Sequence, residues 1–180
     1  ALDRPASVTT AGSAFAGSAA TTAYVANKAD EVIRYGVDVN GNLTQDGYYP
    51  ANSLRKEVHT DPDKKKTETF KDFSGRVMMQ RCGGSLCTYY VYNDLDQLCF
   101  VLPPKYQSDG DLAATGYEYR YDGRGRLKYK ILPGTGYVEY WYDNADRMIC
   151  MQDAVMRSAG KYRFFVYDRF SHLVLQGLCT

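Results

Sequence analysis

Histidine, tryptophan and net charge are scarce in this sequence, and each scarcity excludes something. Its 180 residues include two histidines, His59 and His172, and one tryptophan, Trp141. Nucleophilic catalysis of the Ser–His or Cys–His kind needs an imidazole held beside a hydroxyl or thiol. His172 and Cys179 fall on or beyond one strand at a spacing that matches no nucleophile motif, and His59 lies in a polar segment ahead of Asp61. Twenty-two Lys and Arg stand against 21 Asp and Glu, a formal charge of +1. That balance denies the chain the basic field that nucleic acid or an anionic membrane surface requires. No apolar run is long enough to span a bilayer, and the opening ALDRPASVTT is too polar for a signal peptide. The five cysteines, Cys82, Cys87, Cys99, Cys150 and Cys179, are an odd number, so at least one thiol stays free or pairs between chains. Cys82 and Cys87 flank a GGSL turn, where they either bridge a hairpin or remain reduced, and Cys82-x4-Cys87-x11-Cys99 lacks the short paired spacing of zinc ribbons. GRGR at Gly123–Arg126 and CGGS at Cys82–Ser85 are no phosphate-loop fingerprints. The expectation is a non-enzyme without cofactor, metal, nucleic-acid partner or membrane insertion.

What is abundant is tyrosine, 17 residues of it, and aromatics at this density suit strands, whose pleated surface packs flat rings. The tyrosines recur in a pattern: YDGRGRL at Asp122, YDNADRM at Asp143, YDRFSHL at Asp168, YNDLDQL at Asn93 and KDFSGRV at Asp72, with weaker copies VDVNGNL at Asp38 and TDPDKKK at Asp61. Successive copies lie 23, 11, 21, 29, 21 and 25 residues apart. An Asp or Asn opens a type I turn because its side chain accepts backbone N–H groups two residues on. Gly at the fourth position, as at Gly75 and Gly125, takes positive φ without steric cost and closes a hairpin with a bulge. Asp96, Asp146 and Ser171 replace it elsewhere, Ser171 being the poorest fit.

A three-residue loop of this kind sets a register. It places Asp122 opposite Arg126, Tyr121 opposite Leu127 and Tyr119 opposite Tyr129. The same rule pairs Tyr142 with Met148 and Tyr140 with Cys150, then Tyr167 with Leu173 and Phe165 with Leu175, and Tyr92 with Leu98 and Tyr90 with Phe100. One face then carries an apolar ladder. On the other face, Arg120 and Lys128 read as wet, whereas Trp141 with Ile149 and Val166 with Val174 form an apolar candidate interaction face, as do Val91 and Cys99. That second side needs another layer, a second chain or neighbouring repeats to cover it.

The N-terminal part reads differently. Residues 1–31 are expected to form a partial repeat and an Ala/Ser/Gly-rich loop, AGSAFAGSAATTAYVANKADE, and residues 32–180 the hairpin array. LDRPASV resembles the second half of a turn, as though the chain began inside an array.

YDGRGRL, YDNADRM and YDRFSHL, with Leu132–Gly134 (LPG) between two of them, resemble the YD repeats of the Rhs family. The resemblance covers about the last 110 residues well and Asp38–Asp72 loosely. It implies an all-β fold of tandem antiparallel hairpins forming a twisted or spiralling meander sheet, in a bacterial cell-surface or secreted protein. In larger members such hairpins coil into a shell that can enclose a C-terminal toxin domain. The family's Asp-Pro-x-Gly-Leu closing segment and an effector tail are both missing here, so the resemblance carries over only a scaffold role. It falls on the turn residues Asp72, Gly75, Arg76, Asn93, Asp122, Gly125, Arg126, Asp143, Arg147 and Asp168. The partners implied are neighbouring repeats or the effector domain of the full-length protein, with a homodimer through exposed strand ends as a further association.

Two rival readings remain. The turn aspartates as paired catalytic carboxylates fail because one capping role accounts for all of them. Their arginines read as exposed partners worth roughly 0–1 kcal/mol each. A carbohydrate- or protein-binding surface, with aromatics such as Trp141 stacking on sugar rings, is the alternative function.

Overall fold

The computed structural model describes residues 7–9 and 19–180. The chain is all-β, a meander of antiparallel hairpins, and its contacts divide it into two compact units, 1–92 and 93–180.

In the first unit β1 (Ser7–Thr9), β2 (Ala19–Ala26), β5 (Arg55–Thr60), β6 (Lys66–Lys71), β7 (Val77–Cys82) and β8 (Leu86–Tyr92) neighbour one another in that order. β3 (Ile33–Val37) and β4 (Leu43–Tyr48) form a separate hairpin, which packs its Tyr35 ring edge-on against Tyr89 of β8 at 5.1 Å. This second layer explains the burial of Phe70, Met79, Tyr89 and Val91. Phe70 pairs with Met79 and Met79 with Tyr89, so three strands contribute to one apolar row. Asn27, also buried, fixes the loop above it: its Nδ2 donates to the Pro50 carbonyl (2.8 Å) and its Oδ1 accepts from Leu54 N–H (2.8 Å). Residues 19–26, expected as loop, form β2 instead. Their six-residue pairing with β5, from Thr21↔Thr60 to Ala26↔Arg55, satisfies backbone groups that composition alone leaves unassigned. Residues 11–18 of the Ala/Ser/Gly-rich stretch and the LDRPA start lie outside the described residues, while residues 27–31 form the loop that leads to β3.

The second unit is one sheet in strict sequence order: β9 (Leu98–Leu102), β10 (Tyr117–Tyr121), β11 (Leu127–Leu132), β12 (Gly136–Tyr142), β13 (Met148–Gln152), β14 (Tyr162–Tyr167) and β15 (Leu173–Cys179). Three short helices interrupt it: α1 (Pro104–Asp109) and α2 (Leu112–Thr115) between β9 and β10, and α3 (Ala154–Ser158) between β13 and β14. Asp111 and Asp153 cap α2 and α3 by accepting N–H bonds from Ala114 and Met156. The helices account for the longer repeat intervals of 29 and 25. The short interval, from Asp61 to Asp72, spans one strand, β6, where the others span two.

All seven predicted turns form with one backbone geometry. In each, the first residue's N–H donates to the fifth residue's carbonyl and the fourth residue's N–H donates back to the first carbonyl, as at Asp122 (2.8 and 2.9 Å) and Asp168 (2.9 and 3.1 Å). The fourth residue has positive φ in every copy, including Lys64 (64°), Asp96 (61°), Asp146 (61°) and Ser171 (66°), so hydrogen bonding overrides the side chain's reluctance.

The predicted register holds for one pair and then slips. Tyr121 faces Leu127, Tyr142 faces Met148 and Tyr167 faces Leu173. Beyond that, Arg120 faces Tyr129, Trp141 faces Cys150 and Val166 faces Leu175, so Tyr119 meets Lys130, Tyr140 meets Met151 and Phe165 meets Gln176. The same slip separates Lys71↔Val77 from Phe70↔Met79. The extra residue is always the sixth after the turn's start: Met78, Lys128, Ile149 and Val174. A β-bulge sets two residues against one and increases local twist, and this one moves Tyr129, Cys150 and Leu175 to the other face. Ile149 and Val174 are therefore bulge residues rather than partners of Trp141 and Val166. Lys128 is exposed as expected, whereas Arg120 is half-buried rather than fully wet. Its guanidinium lies 5.7 Å from the Phe100 ring centroid and pairs with Glu118 at 2.5 Å.

Cys82 faces Leu86 and Cys87 faces Arg81, which puts the two thiols on opposite faces of the β7–β8 hairpin, and all five cysteines are free.

Candidate functional site

The turn ends assemble into a repeated clasp. In the Asp122 copy, Oδ1 accepts the N–H groups of Arg124 (2.9 Å) and Arg126 (3.0 Å), leaving Oδ2 to take Arg126 Nε and Nη2 at 2.7 Å each. The remaining guanidinium nitrogen, Nη1, reaches into the next copy, donating to the Asp143 carbonyl (3.1 Å) and Asp146 Oδ1 (2.8 Å). The guanidinium plane lies 4.9 Å from the Tyr142 ring centroid. Tyr142 returns the contact by donating its hydroxyl to the Leu127 carbonyl (2.9 Å).

The next joint repeats these contacts apart from the one to Asp146 Oδ1, whose place in the following turn is taken by Ser171. Arg147 binds Asp143 Oδ2 through Nε (2.8 Å) and Nη2 (2.7 Å), donates Nη1 to the Asp168 carbonyl (3.1 Å) and stacks 5.3 Å from Tyr167, whose hydroxyl donates to the Met148 carbonyl (2.9 Å). In the first unit Arg76 pairs with Asp72 at 2.7 Å and stacks 5.3 Å from Tyr92. The Asn93 copy is a neutral version. Asn93 Nδ2 donates to Gln97 Oε1 (2.9 Å), Gln97 Nε2 donates to the Gly125 carbonyl (3.2 Å), and Tyr121 still donates to the Leu98 carbonyl (2.9 Å). In the Asp168 copy His172 replaces arginine, with Nδ1 3.2 Å from Asp168 Oδ2 and most of its side chain exposed.

One clasp thus needs Tyr and Asp of one repeat with Arg and the following carbonyl of the repeat before it. Arginine suits the position because its planar fork binds a carboxylate with two nitrogens, keeps a third for a carbonyl and presents a flat face to an aromatic ring. The arginine side chains are 22–31% exposed, not the loose surface partners expected from the sequence. The Arg126 side chain holds the Asp122 carboxyl below the usual range, and the Arg147 backbone N–H does the same for Asp143. Both stay ionised near neutrality, as acceptors rather than proton donors. Burial pushes the Tyr121 and Tyr142 hydroxyls up, which keeps them protonated to donate.

Of the other predicted positions, Gly75 and Gly125 supply the positive φ of their turns (89° and 79°). Trp141 is half-buried and packs edge-on against Tyr162 at 5.9 Å, while Ile149, Val166 and Val174 are exposed. Sequence reasoning placed the tyrosines in a buried ladder and missed their hydroxyl bonds. The signal was there, because Tyr immediately precedes Asp in the Asp122, Asp143 and Asp168 copies.

It also missed a charged quartet in the first unit. Lys56 reaches Glu31 (2.6 Å) and Glu68 (2.8 Å), and Arg81 reaches Glu31 (2.8 Å) and Glu68. Both cations lie over the buried Phe70 ring, 5.0 and 5.3 Å from its centroid. Burial alone would raise the Glu31 carboxyl, but hydrogen bonds from Lys28 N–H, Lys56 and Arg81 bring it down to about 2. Among the described residues, no group of three or more His, Cys, Asp or Glu is placed to hold a metal ion, and no helix is long and apolar enough to cross a membrane.

Compared with models of known protein families and with curated proteins, the chain matches none.

Proposed function

We propose that the chain is a non-catalytic structural segment of an Rhs/YD-repeat protein of the bacterial cell surface or secreted space. It forms part of a β-sheet shell or scaffold that carries or encloses an effector domain. The observation that carries this reading is the clasp, in which each of the joints after Asp122 and Asp143 takes side chains from two successive repeats. The Asp–Arg pair serves its own hairpin, but the carbonyl, ring and hydroxyl contacts need a neighbouring copy and gain with every copy added, as in a repeat protein. The resemblance of YDGRGRL, YDNADRM and YDRFSHL to YD repeats points the same way. So does β15, which leaves Leu173, Val174, Leu175 and Leu178 exposed, a surface suited to a further repeat or, in an isolated segment, to a second copy.

The test is the natural reading frame around these residues and electron cryomicroscopy of its product. Further Tyr-Asp copies on at least one side, with the sheet continuing past β15, support the proposal. A frame without further copies overturns it. A glycan-binding module is the second reading, favoured by one observation, the aromatic depression on β10–β12.

A further inference from the structure

On the face of the second unit away from the clasp tyrosines, Glu118 and Arg120 of β10, Tyr129 and Ile131 of β11 and Tyr137 of β12 line a shallow depression of about 340 Å³. The bulge creates it. Without the extra residue at Lys128, Tyr129 would lie opposite Tyr119 on the other face; with it, Tyr129 stands across from Arg120. The two tyrosines meet edge to face, with ring centroids 5.5 Å apart and planes at 79°, so they wall the depression on two sides at nearly a right angle.

The Tyr137 wall and the Arg120 side chain are each held in place. The Arg157 guanidinium, from α3, lies 3.6 Å from the Tyr137 ring centroid and donates Nη1 to the Tyr137 carbonyl (3.3 Å). Arg120 rests over Phe100, itself buried, and donates Nε to Glu118 Oε1 at 2.5 Å. A site held this way loses little side-chain freedom when it is occupied.

We infer that this depression binds the ring of a neutral sugar. Three features select that chemistry. The tyrosine rings offer flat apolar surface to the C–H face of a pyranose and hydroxyls at their edges. Glu118 and Arg120 present a fixed acceptor beside a fixed donor, the pattern that adjacent ring hydroxyls satisfy by donating to one and accepting from the other, with the added strength of charged partners. The two charged lining residues, Glu118 and Arg120, are paired with each other, so neither is left to bind a lone charge, while Lys128 and Arg157 are held against the Tyr129 and Tyr137 rings, 5.1 and 3.6 Å from their centroids. The volume lies at the lower end for small-molecule sites and suits a sugar unit rather than a large cofactor. Trp141, the aromatic that the sequence brings forward as a sugar platform, is outside this lining and turned against Tyr162.

The test is saturation-transfer NMR of the purified chain with methyl glucoside, methyl galactoside and N-acetylglucosamine, together with a glycan array holding neutral and acidic structures. At least one neutral ligand is expected to bind. Glu118→Gln, which keeps the side-chain shape, and Tyr137→Ala are each expected to weaken it about tenfold, the size of one charged hydrogen bond or one ring contact. Trp141→Ala is expected to leave it unchanged. Circular dichroism of each variant establishes that the fold is intact, and Glu118→Gln decides the matter if Tyr137→Ala does not fold. The inference is overturned by absence of neutral-sugar binding, by binding restricted to acidic glycans, by binding indifferent to Glu118→Gln, or by loss of binding in Trp141→Ala. None of these outcomes bears on whether further repeats adjoin the chain, so the scaffold reading stands or falls separately.

Discussion

A tyrosine hydroxyl in each joint of the second unit fills a carbonyl that strand pairing leaves open. Removing the oxygen alone isolates that bond. Tyr142→Phe keeps the ring under Arg126 while the Leu127 carbonyl loses its donor, and a loss of about 0.5–1.5 kcal/mol is expected in urea unfolding. A change within error would show the hydroxyl to be incidental. The turn's fourth residue gives a prediction of opposite sign. Lys64 sits at φ 64° between β5 and β6, a conformation costing a side-chain-bearing residue roughly 1 kcal/mol. Lys64→Gly is expected to recover about that much in calorimetry, less the extra entropy that glycine brings to the unfolded chain. Features at this scale were legible where the chemistry is local. An Asp that accepts N–H groups two and four residues on needs only its own segment, so all seven turns were found. The clasp was not, because it depends on which residue of one repeat lies beside which of the next.

Strands and their joints decide the rest of what was and was not legible. Strict alternation predicted the tyrosine ladder and failed one residue past Tyr121, Tyr142 and Tyr167, since nothing in the side chains of Met78, Lys128, Ile149 and Val174 announces a bulge. The short helices left clearer marks in retrospect: Pro103 and Pro104 at the start of α1, and Asp111 and Asp153 at the starts of α2 and α3. The charged quartet could not be read at all, because Lys56, Glu68 and Arg81 belong to three strands and meet Glu31 only through the register of all three. That quartet makes the first unit acid-sensitive in a defined window. The Glu31 carboxyl lies at about 2 in the folded chain against an ordinary 4.5, so its stabilisation is complete above pH 4.5 and disappears as pH falls towards 2. Glu68 and Asp72 are lowered as well and act in the same direction. Thermal melts of wild type are therefore expected to fall through this range, and Glu31→Gln to melt lower at pH 7 with a flatter acid limb. An equally steep limb in Glu31→Gln would remove the quartet as the cause. At the other end, β15 exposes Leu175 (56%) and Val174 (59%) on an open edge. The isolated chain is expected to self-associate with rising concentration in light scattering, and Leu175→Lys to suppress it. A monomer at all concentrations would contradict this.

The second unit as a whole is tied unevenly. Its Tyr–Asp–Arg joints all lie at the hairpin-turn ends of the strands, while the opposite ends carry connections as different as α1 with α2, the tight turn at Gly134, and α3. Four Gly/Ser residues inserted between Gly110 and Asp111, where α1 gives way to α2, are expected to leave the melting temperature nearly unchanged, because loop lengthening of this kind costs well under 1 kcal/mol. The same insertion between Ala145 and Asp146 would break the Asp143 turn and the Arg126 contacts that reach it, and a large drop is expected. Equal effects at the two positions would refute the asymmetry.

Leaves stitched along one spine can be cut to any length at their fore-edge without loosening the binding. The unit has the same licence. Mutation may lengthen, shorten or replace whatever lies at the unstitched margin, and the stitching is not consulted. Novelty in such an array should therefore accumulate on that margin, while the Tyr-Asp signature at the spine stays as it is.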